Sequence, residues 1–257
     1  MKLLATDYDG TLRYAKHVMQ EDLDAIKKWK EAGNLFVIST GRSYASIKKQ
    51  LEEHNIECDY IISNNGGWVF DKEGKVLISS KMDYLTGLDV IYIAKTIDGV
   101  CSYAVNDGIN RHRIVVNPNL VEHRYPNLEP DISEEEVMDR GEFAQIVISM
   151  TEQSLARNVS LELMTHFGGE IEAYANNFVV DVVPKNVSKV SGLSFVAAYE
   201  DIDDADIYTI GDSYNDIPLM EYGMNGAAMS TSYEDIKEHA KYIYDSVGEM
   251  IEKILEQ

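Results

Sequence analysis

The sequence predicts an α/β protein: a doubly wound parallel sheet whose chain is interrupted by an inserted α+β domain. Three observations lead to this prediction. Apolar runs typical of buried strands alternate with helical patterns through residues 2–63, successive strands dominate the middle of the chain, and the strand–helix alternation returns after Pro184. Regular alternation is typical of a parallel sheet covered by helices, whereas successive strands favour an antiparallel sheet.

The N-terminal segment has the β-α-β-α-β order of a Rossmann-like core. Leu23 and Ile26 are spaced as on one face of a helix, which Gly33 ends. The unbroken apolar run at 35–40 is typical of a strand that is covered on both faces. The predicted strands here are 2–9, 35–40 and 59–63, and the predicted helices are 20–32 and 43–55.

The middle of the chain reads as an antiparallel sheet with helices. A hairpin is predicted at 68–80, helices at 83–97 and 152–167, and strands at 101–105, 112–117, 144–150, 170–175 and 178–183. The stretch 122–142 is acidic, contains proline and is weakly patterned, so we expect loop and short helix there.

The C-terminal segment returns to the α/β order. We expect a helix at 188–200, a strand at 206–210, a helix at 214–222, a strand at 226–229, and helices that close the chain. The sequence therefore predicts a core domain formed by residues 1–81 and 185–257, with an inserted domain at 82–184.

The protein is acidic, with 44 Asp and Glu against 23 Lys and Arg in 257 residues and a formal net charge of −21. A field of this sign repels polyanions, so we expect neither nucleic acid nor a membrane as a partner. No apolar run approaches the roughly 18 residues that a membrane span needs. The first residues have no signal-peptide core, and two cysteines make no disulfide framework. We expect a cytoplasmic protein; a monomer and a homodimer both remain open.

The first strand ends in two acids, Asp7 and Asp9, which Gly10 and Thr11 follow. Side chains at i and i+2 of a strand point to one side, so these carboxylates repel each other unless a divalent cation binds or one carboxyl is protonated. An Asx-turn cap is the alternative. We favour a functional site, because ligands of open α/β sheets bind beyond the carboxyl ends of the strands.

Two further segments have the residue types of an anion site. Thr40 and Gly41 end the second strand, where a hydroxyl and a backbone N–H can bind a phosphate oxygen or cap the next helix. If Ser188 caps a helix, Lys189 lies in its first turn. A cation there opposes the helix dipole, which a bound anion would justify; an exposed surface lysine is the alternative.

The fourth segment follows the strand at 206–210. Gly211 allows the chain to turn, Asp212 lies at the strand end, and Asn215 and Asp216 open the next helix. Acids are favoured in a first helical turn anyway, and this structural alternative has weight for Asp216. It has less weight for Asp212, which would be a carboxylate in an apolar setting.

Taken together, the segments DYDGT, STGR, the Ser-Lys pair at 188–189 and GDSYND resemble, in this order, the four motifs of the haloacid-dehalogenase superfamily. The NNGG stretch at 64–67 and the position of the inserted domain are similar to the Cof-type branch, whose members are magnesium-dependent phosphatases of small metabolites. The resemblance covers nearly the whole chain, and the two aspartate motifs are its most specific part.

The resemblance implies catalysis through an aspartyl-phosphate. Asp7 would be the nucleophile, and Asp9 would be the general acid and then the general base. This division requires Asp7 to be ionised and Asp9 to hold a proton near neutral pH. Mg²⁺ would be held by the Asp7 carboxylate, the Asp9 backbone carbonyl and the Asp212 carboxylate.

The resemblance also implies which residues hold the phosphate of a small phosphorylated metabolite, such as a sugar phosphate. Thr40 and Lys189 would bind it, and Lys189 would also neutralise Asp7. Asp216 would support Lys189 or a metal-bound water. The remaining predicted phosphate or substrate contacts are Gly10, Thr11, Gly41 and Asn215.

Two positions depart from the pattern of the branch. Val190 stands where a glycine usually follows the Ser-Lys pair, and Ser230-Thr231-Ser232 replaces a segment that usually contains glycine and asparagine. The resemblance therefore does not extend to a secondary phosphate contact near 230–232, and the substrate preference can differ.

The inserted domain would act as a cap that covers the site and selects the substrate. Its segment at 108–113 and the pair at 123–124 are basic in a very acidic protein. We therefore expect Arg111 or Arg113 to face the pocket and bind an anionic or polyhydroxylated leaving group. A solvated strand face, paired with surface acids, is the alternative.

Two other functions remain open at this stage. A phosphomutase of the same superfamily would return the phosphoryl group to a sugar instead of to water. A metal-dependent binding or regulatory protein would keep the scaffold with little turnover, although the presence of Asp7, Asp9, Lys189 and Asp212 argues against that.

Overall fold

The computed structural model describes residues 1–124 and 126–256, which form two separate sheets. The core sheet contains β1 (Leu3–Thr6), β2 (Leu35–Ser39), β3 (Tyr60–Ser63), β4 (Trp68–Asp71), β5 (Val76–Ser79), β11 (Ile207–Gly211), β12 (Asn225–Met229) and β13 (Tyr242–Tyr244). Its helices are α1 (Gln20–Glu31), α2 (Tyr44–His54), α6 (Lys189–Tyr199), α7 (Ile217–Glu221), α8 (Glu234–Lys237) and α9 (Val247–Leu255).

The second sheet belongs to the insertion between β5 and α6. Its strands are β6 (Val100–Asn106), β7 (Arg111–Val115), β8 (Gln145–Met150), β9 (Ile171–Asn176) and β10 (Val179–Pro184). Its helices are α3 (Tyr84–Thr96), α4 (Glu134–Arg140) and α5 (Gln153–Phe167). We call this part of the chain the cap.

The strand order of the core sheet brings the predicted site segments together. The order is β13-β12-β11-β1-β2-β3-β4-β5, and β1 pairs in parallel with both β2 and β11. Ala5 therefore lies between Val37 and Thr209. Since parallel strands end at the same edge, the residues that follow β1, β2 and β11 meet there.

Helices cover both faces of the core sheet, and the central strands β1 and β2 are apolar at every position except the last. Leu3 and Ala5 of β1 pack with α6 and α7 on one face, whereas Leu4 packs with α1, α2 and α9 on the other. Trp29 anchors that second face and is fully buried. Burial on both faces explains the unbroken apolar runs of β1 and β2.

The cap sheet is antiparallel, in the order β7-β6-β8-β10-β9. Alternate side chains of its central strands, such as Val105, Ile146 and Val182, pack with α3 and α5 on one face. The residues between them include Asn106, Gln145 and Asp181, which a strand's alternation places on the opposite face. That face lies toward the carboxyl edge of the core sheet, because Asn106 contacts Asn64 of the core.

The predicted fold class is confirmed: a parallel α/β core carries an inserted cap with an antiparallel sheet. The predicted closing helices are incomplete, because the short strand β13 lies between α8 and α9. The predicted helix at 214–222 is divided into a 3-10 turn, Tyr214–Asp216, and α7. The predicted short helix in 122–142 is α4; Tyr125 of that stretch lies outside the described residues.

The division into domains at 81/82 and 184/185 stays a prediction. Within the described part of the chain, no helix combines the length and the apolar character that crossing a membrane requires.

Candidate active site

The end of β1 holds a buried ion pair. The Asp7 carboxylate is 5% exposed and accepts a hydrogen bond of 2.5 Å from Lys189 Nζ. Lys189 is the first residue of α6, which Ser188 caps in a capping box with Ser191. The predicted placement of Lys189 in a first helical turn is therefore correct, and its ammonium group is directed at the predicted nucleophile.

Asp216 completes this arrangement from the neighbouring strand end. Its Oδ1 accepts a hydrogen bond of 2.5 Å from Lys189 Nζ, and its Oδ2 accepts bonds from the backbone N–H groups of Asp212 and Ser213. Asp216 is fully buried. It therefore fixes both the lysine and the loop that carries Asp212, while its supporting role in catalysis stays a prediction.

Asp212 faces Asp7 across the turn at Gly10. Thr11 Oγ1 donates a hydrogen bond of 2.8 Å to Asp212 Oδ1, so the Thr11 hydroxyl is engaged with Asp212 rather than with the cavity. Gly10 has φ +100°, and a Cβ at this position would lie 2.4 Å from Asp212 Oδ2. The glycine therefore permits both the left-handed turn and the close approach of the second carboxylate.

The carboxylates of Asp7, Asp212 and Asp216 form one cluster, with oxygen atoms that all lie within 4.8 Å of one another. Burial, with the neighbouring Asp216 carboxylate, raises the pKa of Asp212 to about 6. Burial also raises the pKa of Asp7, against the opposing effect of Lys189. Three acids against one lysine leave two excess negative charges, and oxygen ligands of this kind fit a hard divalent cation.

Asp9 has a different environment. Its carboxylate accepts bonds of 2.5 and 2.8 Å from Arg42 Nε and Nη2, and Arg13 Nη1 lies 3.2 Å away. Although burial opposes the effect, the Arg42 guanidinium lowers the pKa of Asp9. The directions of these pKa shifts are thus opposite to what the predicted division of roles requires: the pKa of Asp7 is raised and that of Asp9 is lowered. The physical reason is that Arg42, which had no predicted role, neutralises Asp9.

The predicted phosphate residues of the second strand lie at the same edge. Thr40 and Gly41 line the cavity beside Asp7, and Thr40 Oγ1 accepts a hydrogen bond from the Arg42 N–H. Asn215 also lines it, and its Nδ2 donates to Asn65 Oδ1 at 3.1 Å. Asn65 belongs to the NNGG turn, in which Gly66 has φ +105° and packs directly on the Ser188 carbonyl.

A polar cavity of about 330 Å³ lies between this edge and the cap. The core contributes Asp7, Asp9, Gly10, Arg13, Tyr14, Ala15, Thr40, Gly41, Arg42, Asp212, Ser213 and Asn215, and the cap contributes Arg111, Arg124, Asn176, Asn177 and Asp181. The two cap arginines that were expected to face the pocket therefore differ in position. Arg111 reaches the cavity, whereas Arg113 donates to the Leu128 carbonyl and lies 3.7 Å from Glu122, so for Arg113 the expectation of a pocket position is wrong.

Comparison with known proteins identifies the family. The model of the haloacid dehalogenase-like hydrolases matches residues 4–250. The chain belongs to this family. The predicted family, and the prediction that the protein is an enzyme, are therefore confirmed for this haloacid dehalogenase-like hydrolase.

Relatives of the hydrolase match over nearly their whole lengths. The 5-amino-6-(5-phospho-D-ribitylamino)uracil phosphatase YwtE of Bacillus subtilis is 25% identical over 97% of this chain and 94% of its own. Among solved structures, the phosphatase BT1666 from Bacteroides thetaiotaomicron has a TM-score of 0.80 and 26% identity, and the alignment covers 100% of this chain and 94% of that one. The sugar phosphatase BT4131 has a TM-score of 0.79 at 19% identity and covers 99% of both chains, which shows the shared fold.

Sequence reasoning missed several residues that the hydrolase brings to the cavity. Arg42 is the last residue of the STGR segment, and its proximity to Asp9 depends on the neighbouring positions of β1 and β2. Asp181, Asn176 and Asn177 lie in or beside ordinary cap strands, and no local pattern distinguishes them. Only the fold places them opposite the core site.

Proposed function

We propose that the protein is a Mg²⁺-dependent phosphatase that hydrolyses small phosphate monoesters through an aspartyl-phosphate on Asp7. The observation that carries this proposal is the environment of Asp7: a carboxylate at the end of the central strand, bonded to buried Lys189 and adjacent to Asp212. Phosphoryl transfer depends mainly on positioning and on charge stabilisation, and these residues can supply both.

In the first step, an Asp7 carboxylate oxygen forms a bond to phosphorus while the bond from phosphorus to the ester oxygen breaks. Asp9 protonates the departing oxygen. In the second step, Asp9 takes a proton from water, the water oxygen bonds to phosphorus, and inorganic phosphate leaves as the Asp7 carboxylate is regenerated. Lys189 and Thr40 bind the phosphate oxygens in both steps.

Mg²⁺ would be held by the Asp7 and Asp212 carboxylates and the Asp9 backbone carbonyl. When bound, it supplies positive charge that favours ionised Asp7 and balances the phosphate oxygens. Asp216 would support the site, because both of its oxygens already accept hydrogen bonds. A dianionic phosphate beside Asp9 would compete for the Arg42 guanidinium and so raise the pKa of Asp9.

The substrate is proposed to be a small phosphorylated metabolite, such as a sugar phosphate, because the cavity is small and polar. The names of the relatives agree with this class. We further propose a cytoplasmic location and no nucleic-acid partner, since the net charge of −21 repels polyanions.

The test is phosphate release from para-nitrophenyl phosphate and from a panel of metabolite monoesters, with Mg²⁺ and with EDTA. We expect phosphate release that depends on Mg²⁺ and that Asp7→Asn abolishes. The control is Asp203→Asn, at an exposed position, and we expect this variant to keep the activity. Activity that survives Asp7→Asn or EDTA would refute the mechanism. Transfer of the phosphoryl group to a second sugar hydroxyl, without free phosphate, would instead indicate a phosphomutase.

A further inference from the structure

Asp181 is a cap residue for which the proposed chemistry has no role. It lies in the middle of β10, is 4% exposed, and still lines the cavity that holds Asp7. Its register partners across the cap sheet, Val147 and Tyr174, are backbone neighbours and contribute no charge. Burying a carboxylate in such a position is costly unless the remaining lone pairs of its oxygens accept hydrogen bonds.

A chain of buried amides connects Asp181 to the core. Gln145 Nε2 donates to Asp181 Oδ1 at 2.6 Å, and Gln145 Oε1 accepts from Asn106 Nδ2 at 2.9 Å. Asn106 Nδ2 also donates to Asn64 Oδ1 at 2.9 Å, and Asn64 Nδ2 donates to the Gly108 carbonyl at 2.9 Å. These amides are fully buried, so each bond is made in a low-dielectric setting.

The same chain fixes Arg111. Asn106 Oδ1 accepts a hydrogen bond of 2.8 Å from Arg111 Nε, and Arg111 Nη2 donates to the Gly41 carbonyl at 3.1 Å. A cap arginine is thereby tied to the core residue that follows Thr40.

The two charged ends determine the direction of every bond in the chain. A carboxylate only accepts and a guanidinium only donates, so Gln145 must direct its NH₂ group to Asp181, and Asn106 must direct its oxygen to Arg111. Asn106 then has to donate both of its N–H bonds, one to Gln145 and one to Asn64. No amide can be flipped without leaving a buried group unpaired, so the chain holds Asp181 and Arg111 in one arrangement.

The cavity wall around them suits hydroxyl groups. The cap side presents a carboxylate acceptor, guanidinium donors and the amides of Asn176 and Asn177, and it presents no large apolar side chain among the described residues. Hydroxyls both donate and accept, so they can bond to all of these groups. A cationic leaving group would instead meet Arg111 and Arg124.

We propose that Asp181 is a specificity-determining residue that accepts hydrogen bonds from hydroxyls of a polyhydroxylated leaving group, and that the Asn64–Asn106–Gln145 chain positions it. The inference rests on the proposed phosphatase function and deepens it. Asp181 acts on substrate selection; Gln145 and Asn106 are positioning residues, because they act through Asp181 and Arg111.

The first test compares kcat/KM for polyhydroxylated esters (glucose 6-phosphate, ribose 5-phosphate, sorbitol 6-phosphate) with kcat/KM for para-nitrophenyl phosphate. Asp181→Asn can keep its bond to Gln145 but replaces a charged acceptor in the cavity. We expect the ratio for the best polyhydroxylated ester to fall at least about tenfold, as expected for the loss of one charge-assisted hydrogen bond. The control is Glu172→Gln on the neighbouring strand β9, which is paired with Lys185 and lies outside the cavity lining.

The second test is Gln145→Met, which keeps the volume and removes both bonds. We expect KM for the polyhydroxylated ester to rise at least about threefold, with a smaller change in kcat. The control is Ser149→Ala on the same strand, buried and with a hydroxyl that has no partner among the described residues. A purely structural role would lower kcat for both classes of ester together and would leave the ratio unchanged.

The outcomes separate the two proposals. If the parent enzyme hydrolyses para-nitrophenyl phosphate but Asp181→Asn leaves the ratio unchanged, or if no polyhydroxylated ester is hydrolysed, the inference is wrong and the phosphatase function stands. If the parent hydrolyses no ester in the presence of Mg²⁺, the proposed function fails and the inference fails with it.

Discussion

Lys189→Met is the substitution whose effect follows most directly from the structure. Lys189 Nζ lies 2.5 Å from Asp7 Oδ1 and 2.5 Å from Asp216 Oδ1, and the lysine side chain is 1% exposed. Methionine fills a similar volume without the charge. The variant therefore leaves two buried carboxylates without their common counter-charge.

The magnitude can be bounded from this geometry. Removing one partner of a buried ion pair typically costs about 3–5 kcal/mol, because an uncompensated charge stays buried. We expect the free energy of unfolding to fall by about that amount, which is a large part of the about 5–15 kcal/mol of a typical domain. Adding Asp216→Asn to the variant removes one of the two orphaned carboxylates and should restore part of the loss.

The assay is urea unfolding in EDTA at pH 7, followed by circular dichroism. Lys185→Met is the matched control, because Lys185 pairs with Glu172 at the surface of the cap; we expect a change below about 1 kcal/mol. A loss for Lys189→Met that is as small as the control's would refute the reasoning. So would a double variant with Asp216→Asn that is less stable than the single variant.

Two further predictions concern the carboxylate cluster. The pKa of Asp212 in the folded protein is raised to about 6, so the folded state binds this proton more tightly than the unfolded state does. The stability that results is complete below the unfolded pKa and is lost as pH rises through the folded pKa. In EDTA, the parent protein should lose up to about 3 kcal/mol more stability than Asp212→Asn between about pH 4 and pH 7; equal losses would contradict this. Gly10→Ala should lose more stability than Gly33→Ala, because both have positive φ but only a Gly10 Cβ would meet Asp212. Thermal unfolding of both variants would show whether contact adds to the backbone cost, and equal shifts would show that it does not.

Much of the fold was predictable because local patterns and tertiary environment agree. The strands β1 and β2 are apolar at every position except the last because they are covered on both faces, and the helices beside them carry regular apolar spacing. The strand β13 was missed because it has three residues, two of them exposed, and no period can be read from so few. The division of the helix at 214–222 reflects the capping box between Ser213 and Asp216.

The core site was predictable for a different reason. Its residues follow parallel strands, and parallel strands bring their ends together whatever the details of packing. Asp7, Lys189, Asp212 and Asp216 therefore meet as expected.

The cap side of the site could not be predicted in the same way. Arg111 and Arg113 are two residues apart on one strand and should point to the same side, yet only Arg111 lines the cavity. The bond from Arg111 to Gly41 and the bond from Arg113 to Leu128 depend on loops that meet only after folding. Asp181 and Gln145 lie on the adjacent strands β10 and β8, and no local sequence pattern reveals the hydrogen bond between their side chains.

The most direct measurement of the central claim is a chemical trap of the phosphorylated residue. The enzyme is quenched in acid during turnover of para-nitrophenyl phosphate with Mg²⁺, reduced with borohydride, digested and sequenced by mass spectrometry. Borohydride converts an aspartyl-phosphate to homoserine, so the account predicts homoserine at position 7, and none in Asp7→Asn. Homoserine at another position, or none anywhere in an enzyme that is turning over and was quenched before the intermediate decays, would contradict it.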